Sequence, residues 1–329
     1  MKNFVELGAM LSGLLLSGQA LGQATDTFSG ETPSASQVYS GVSSLSDIPI
    51  AAEIKSSSSV FKNLVWNDEF NGYGQPNPAN WNFHVGSGLN RDLSEFQGWG
   101  NGEWQWYRPE NCYQEQGNLV LRADYDAVPV PIAGANRFQF SCRVTTQGKQ
   151  SWTYGRIEAR LAVPNIAGSW PAFWMLGDSS DATYTGNYAA EMAYYDSVAT
   201  NWSSIGEIDI FEHVNFENFT YQNAFWDMRE GVQHWAFGQN ANAVNVAQVG
   251  NVSEFHTYAV EWDATAIRWF VDDVQTQVID VTPANMEEFR KPFHLIFNLA
   301  LAGRLTQGLE PQPADFPIYM YVDYVRVFQ

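Results

Sequence analysis

Along Gly155-Arg156-Ile157-Glu158-Ala159-Arg160-Leu161, apolar and charged residues alternate with a period of two, so an extended segment presents one apolar and one charged face. Similar patterning predicts strands over Asn118 to Asp124, Phe255 to Trp262, Ile267 to Val271 and Ile318 to Phe328. Asp272-Asp273 reads as a hairpin turn, and only Pro283 to Arg290 has helical character. Many short strands with turn signals and no βαβ alternation predict an all-β antiparallel sandwich. No internal repeat is evident. Asp178 to Ser203, lying between two strong strand signals, reads as a long loop decorating one edge.

Aromatic density divides the chain. From Phe61 onward Trp66, Phe70, Trp81 and Phe83 open a continuous aromatic-rich stretch, which predicts a single catalytic-sized domain over 61–329. Residues 25–60 are rich in Ser, Gly, Ala and Thr, including Ser56 to Ser59, and read as a flexible linker because they cannot bury enough surface to fold. Before them come Lys2, the apolar run Leu7 to Leu16, and small residues at Ser17, Gly18, Ala20, Gly22 and Ala24. This pattern predicts a signal peptide over 1–24 and a secreted mature chain without a membrane anchor, since a span needs about 20 apolar residues.

The whole sequence of 329 residues is 45% hydrophobic, ample for one large core. Its formal net charge of −19, from 36 acidic and 17 basic residues, argues against nucleic acid or an anionic membrane as a partner. Cys112 and Cys142 stand alone. In an exported chain such a pair forms a disulfide more often than a metal site or a nucleophile. Glycosylation signals begin at Asn201, Asn218 and Asn251, and they matter only in a eukaryotic secretory path.

The segment Glu207-Ile208-Asp209-Ile210-Phe211-Glu212 holds the candidate chemistry. On a regular strand Glu207, Asp209 and Phe211 would share one face and Glu212 would point into the other. A β-bulge near Ile210-Phe211 would shift the phase and bring Glu207, Asp209 and Glu212 to a common face. Three adjacent carboxylates repel one another, so one pKa must rise and the group titrates as a unit. That division into proton donor and anion suits glycosidic cleavage with retention, in which one carboxyl attacks the anomeric carbon and another protonates the leaving oxygen. A solvated acidic strand and a calcium site are the alternatives at this level.

The strand resembles the E-x-D-x-x-E signature of glycoside hydrolase family 16, laminarinase-like branch. Further segments resemble that family in the same order: WNDEF at Trp66, GWGNGEWQWY at Gly98, GNLVLRA at Gly117, SWTYGRIEAR at Ser151, WPAFWML at Trp170, FHTYAVEW at Phe255 and VDYVRVF at Val322. The resemblance implies a β-jelly-roll sandwich of two curved antiparallel sheets with a concave substrate cleft. It implies Glu207 as nucleophile, Glu212 as general acid/base and Asp209 as the residue that orients and tunes them, with no catalytic cofactor. Substrate contacts are expected from Trp170, Trp104, Trp106, Asn101, Glu103, Arg156 and His234, whereas Trp174 is assigned to the core. The family's structural calcium maps to Glu69, Gly117 and Asp323, and Asp323 needs a charge partner in any case. The two-residue spacer before Glu212 is unlike that of lichenases and xyloglucan transferases, so the resemblance favours β-1,3-glucan, or a marine galactan, as substrate; the expected enzyme is a monomeric endo-glycosidase acting on β-glucan. Galactanase, transglycosylase and non-catalytic glucan-binding roles are the alternatives. The chain departs from the pattern at Asn298 to Arg304, which lacks a glycine and a tryptophan found in many relatives, so one end of the cleft is expected to differ.

Overall fold

Period-two patterning is realised as two stacked sheets in the computed structural model, which describes residues 59–87, 98–132, 135–178, 205–227, 237–245 and 250–329. The expected signal peptide, nearly all of the expected linker, and positions 179–203 of the expected edge loop lie outside the described residues, as does His234. The strands, in chain order, begin with β1 (Leu64–Asp68), β2 (Asn82–Phe83), β3 (Trp106–Tyr107), β4 (Cys112–Glu115), β5 (Asn118–Ile132) and β6 (Ala135–Ser141). They continue with β7 (Arg143–Thr145), β8 (Gly155–Ala162), β9 (Ser169–Gly177), β10 (Glu207–His213), β11 (Phe219–Asp227) and β12 (Phe237–Asn245). The last are β13 (His256–Trp262), β14 (Ala266–Val271), β15 (Val274–Asp280), β16 (Phe293–Leu301) and β17 (Ile318–Phe328).

The inner sheet runs β12-β11-β10-β9-β16-β7-β2, and the outer sheet runs β15-β14-β13-β8-β17-β5-β6-β3 with β1 on β17 and β4 on β5. Pairing is antiparallel except between β3 and β6. Between the sheets, Ile157, Leu161, Val260, Trp269, Val325 and Val327 of the outer layer meet Phe173, Met175, Ile208, Phe211, Leu295 and Phe297 of the inner layer, all at most 2% exposed. The two ends of the domain are tied by reciprocal backbone hydrogen bonds between Asn63 and Gln329, at 3.1 and 2.9 Å.

Alternation along β8 explains one correction. Ile157, Ala159 and Leu161 enter the core, so Arg156, Glu158 and Arg160 face outward from the outer sheet. Arg156 is nevertheless buried, because Glu158 at 2.7 Å, Glu261 at 3.1 Å and Asp273 at 2.6 Å surround its guanidinium. It therefore stands on the sheet opposite the carboxylate strand, and its expected role as a substrate contact is withdrawn. Pro283 to Arg290 is also corrected: Ala284–Arg290 forms 3₁₀ turns interrupted at Met286, whose φ of −120° breaks the helix.

The calcium assignment fares similarly. Asp323 accepts a hydrogen bond from Arg160 at 2.6 Å, and Glu69 takes both a 2.8 Å and a 2.7 Å bond from Arg326. The charge partner that Asp323 requires is thus an arginine, and both carboxylates are already compensated. Gly117 turns the β4–β5 hairpin at φ +76°. Among the described residues, no group of three or more His, Cys, Asp or Glu side chains is disposed to hold a metal.

Cys112 and Cys142 are both fully buried and form a disulfide with Cα atoms 5.6 Å apart. It fastens β4, at the margin of the outer sheet, to the junction where the chain leaves β6 for β7 of the inner sheet. The bridge spans 30 positions of sequence, and on the chain-entropy account such a loop contributes about 3–4 kcal/mol. Replacing both cysteines by Ala is expected to lower the free energy of unfolding by about that amount in denaturant titrations.

Candidate active site

Strand β10 contains the extra residue that the carboxylates require. Against β11, Asp209 pairs with Asn223 but Glu212 pairs with Tyr221, so three steps on one strand oppose two on the other. Against β9 the shift falls between Asp209 and Phe211, which places the bulge at Ile210. Ile208, Ile210 and Phe211 all enter the core at 0% exposure. Glu207, Asp209 and Glu212 consequently share the concave face, beside Trp174 and Ala172 of β9 and Asn223 and Tyr221 of β11.

A bond from the other sheet holds this irregularity. The indole Nε1 of Trp269, buried in β14, donates to the backbone carbonyl of Asp209 at 2.8 Å. Trp269 also borders a register shift in its own pairing with β15, so two local departures from regular pairing face one another across the core. A polar bond in an otherwise apolar layer satisfies a carbonyl at the place where the ladder is interrupted.

The three carboxyl groups differ in surroundings. Trp170 Nε1 donates to one oxygen of Glu212 at 3.0 Å and Asn223 Nδ2 to the other at 2.7 Å. Burial nevertheless dominates and pushes Glu212 up to about 7, the two donors only partly opposing it. Asp209, 3% exposed, is held well above the usual carboxylate range by burial first and then by the negative charges of Glu207 and Glu212. A hydrogen bond joins Asp209 to Glu207, so the protonated form of Asp209 serves as a donor between its neighbours. His213, next along the strand, faces away and accepts no catalytic part. Its ring meets the Phe219 carbonyl at 2.9 Å and Asn165 at 3.2 Å, and burial lowers its pKa to about 4.

Alternation on β9 sets the aromatic lining. Phe173 and Met175 are core residues, so Trp170 and Trp174 lie on the concave face and remain partly exposed. The assignment of Trp174 to the core is therefore wrong: it lies directly opposite Asp209. Trp174 Nε1 donates to Asn298 at 2.6 Å, Asn298 donates to the Tyr107 hydroxyl at 3.4 Å, and Tyr107 donates to Glu103 at 3.3 Å. Glu103 also accepts from Asn101 at 3.1 Å and Gln105 at 2.6 Å, and burial raises its pKa. Asn101 and Glu103 thus support the cleft floor through Tyr107 and Asn298, with Glu103 4% exposed and its oxygens committed. Arg143 lies over the rings of Trp99 and Trp174, each at 4.8 Å.

Other expected contacts fall elsewhere. Trp106 is in β3, paired to Phe140 of β6 at the outer-sheet margin, and Trp104 is 46% exposed beside Tyr125 and Phe138. The altered segment after Asn298 turns back on this region: Gly303 approaches the Asn101 carbonyl, and Arg304 N donates to it at 2.8 Å. Asn223 and Arg143 escaped the sequence reading. Neither belongs to a local motif near Glu207, and only strand pairing brings them to the cleft.

Comparisons with known proteins agree with this geometry. Residues 100–308 match Glycosyl hydrolases family 16. The chain is 36% identical over 278 residues to the Beta-glucanase of Rhodothermus marinus, covering 81% of this chain and 85% of that protein. It is 35% identical over 274 residues to the Clotting factor G alpha subunit of Tachypleus tridentatus, with 81% of this chain spanning 34% of that longer protein. Among solved structures, the catalytic domain of an endo-1,3-beta-glucanase (laminarinase) from Thermotoga petrophila RKU-1 superposes with a TM-score of 0.66 at 32% identity, covering 82% of this chain and 99% of that one.

Three outcomes follow from the site. Glu212 is expected to titrate near pH 7 by carboxyl NMR, and Asn223→Ala, which removes the donor at 2.7 Å, should move that titration upward by up to about one unit. A folded pKa above the unfolded value of about 4.3 means that the fold favours the protonated carboxyl. Its contribution is complete below that value and is lost as pH rises through about 7. Glu212→Gln should accordingly raise the melting temperature at pH 8 and leave it nearly unchanged at pH 4. Trp269→Phe, which leaves the Asp209 carbonyl buried without its donor, is expected to cost about 1–3 kcal/mol in chemical denaturation.

Proposed function

This chain belongs to glycosyl hydrolases family 16, and from that premise we propose that it is an exported, monomeric endo-1,3-β-glucanase that cleaves internal linkages of laminarin-type glucan with retention. The observation that carries the reading is the bulged strand, which brings Glu207, Asp209 and Glu212 to one face with Glu212 raised to about 7. The names of the relatives, a beta-glucanase and a laminarinase, support the substrate class. The apolar run Leu7 to Leu16, its small-residue flank and the disulfide support export.

In the proposed reaction Glu207 attacks the anomeric carbon while Glu212 delivers its proton to the departing glycosidic oxygen. A carboxyl with a pKa near 7 suits this donor role close to neutrality. Trp170 and Asn223 then stabilise the carboxylate that Glu212 becomes, through the two hydrogen bonds already present. That anion takes a proton from water, whose oxygen attacks the same carbon and releases Glu207. Asp209, protonated and bonded to Glu207, orients the nucleophile and prevents three like charges from accumulating. Trp170 and Trp174 offer ring faces on which the C–H faces of a neutral sugar can stack.

Glu207→Gln should reduce release of reducing sugar from laminarin by about a thousandfold or more, with unchanged fold by circular dichroism. Wild-type-like turnover in that variant would refute the mechanism and leave a binding role. NMR of the first-formed product should show the β-anomer, and kcat/KM should fall as pH rises through about 7.

A further inference from the structure

Trp104, Tyr125, Asn136, Phe138 and Gln139, together with the Glu310–Pro313 loop, line a pocket of about 500 Å³ that the catalytic reading leaves unused. Its size lies within the range of small-molecule sites, about 300–1,000 Å³. Three features give it a chemical character. The first is aromatic: Trp104 is 46% exposed, and Tyr125 stacks on Phe138 at 5.8 Å with an interplanar angle of 16°. Phe316 backs Tyr125 from behind at 5.8 Å. The second is polar: Gln139, only 9% exposed as a residue, lines the pocket with a side-chain amide that can both donate and accept hydrogen bonds. The third is charge, since the described lining includes the carboxylate of Glu310 and no basic side chain, which disfavours phosphate or sulfate.

The pocket adjoins the catalytic cleft without sharing its carboxylates. The Glu310–Pro311 segment packs directly on Gly168, where any side chain would clash. Gly168 precedes Trp170 by two residues, about 7 Å along an extended chain, and Trp170 donates to Glu212. On the other side Trp104 N donates to the Leu301 carbonyl at 2.9 Å, at the end of β16 that pairs with the start of β9. The lining is thereby anchored to the two strands that form the cleft floor.

We propose that this pocket binds a neutral β-glucosyl unit: exposed aromatic faces receive its C–H face and the Gln139 amide its hydroxyls. The inference rests on the glucanase reading for the identity of the sugar. The unit comes either from a branch on the chain held in the cleft or from a separate glucan strand.

The test compares Phe138→Ala and Gln139→Ala with the parent enzyme, each checked for folding by thermal melting. Binding is measured calorimetrically in a Glu207→Gln background with a short linear β-1,3-glucan oligosaccharide, the same oligosaccharide bearing one glucosyl branch, and insoluble linear β-1,3-glucan. A tenfold or greater loss on the branched oligosaccharide alone supports the branch as source. A comparable loss on the insoluble glucan alone supports a separate strand. Unchanged binding to all three in folded variants, or equal losses on the short linear oligosaccharide, overturns the proposal. If the wild-type enzyme releases no reducing sugar from any of them, the catalytic reading fails on its own, while the binding arms still report on the pocket.

Discussion

A single hydrogen bond across the core, from the Trp269 indole to the Asp209 carbonyl at 2.8 Å, secures the irregularity on which the cleft depends. A strand has a side-chain period of two, so residues five apart in sequence point to opposite faces. Without one extra residue Glu212 would lie in the core and Glu207 in the cleft. The bulge at Ile210 restores the phase, and a carbonyl at the interrupted ladder is met by a donor rooted in the opposite sheet. Packing between the sheets and the placement of the carboxylates are therefore one problem with one solution. Ile208, Ile210 and Phe211 fill the core only in the register that turns the acids outward.

The carboxylates sit in this arrangement at a cost in stability. Burial raises both Asp209 and Glu212, and the charges of Glu207 and Glu212 raise Asp209 further, which means that the folded chain would be more stable at neutral pH without them. The surroundings limit the penalty by giving both Glu212 oxygens a donor and by letting Asp209 bond to Glu207. Such opposed environments for neighbouring acids are what separates a proton donor from a nucleophile.

The outward face of the other sheet handles charge differently. Arg156 among three carboxylates, Arg160 on Asp323 and Arg326 on Glu69 set a positive charge beside each of these acids. The same residue types thus serve opposite purposes on the two sheets. An acidic strand with no facing arginine has room for chemistry, and an acidic position beside an arginine is structural.

Strand alternation, the all-β class and the need for a bulge near Ile210 were legible in the sequence, because side-chain periodicity and like-charge repulsion act between near neighbours in the chain. So was the cleft position of Trp170. Placement of Trp174, Arg156, Asn223 and Arg143 was not, since each depends on which strand lies alongside which, and on which sheet a strand joins. Trp174 reads as core until β9 is seen to alternate it with Phe173 and Met175. Arg156 reads as a sugar contact until β8 is assigned to the outer sheet. Asn223 and Trp269 reach β10 from 14 and 60 residues beyond Asp209, respectively. The local sequence determined that the three acids can share a face only through a bulge, because period-two geometry otherwise turns Glu212 to the other side. Only the tertiary structure decided how their charges are divided, because the donors and the burial that set each pKa come from separate strands.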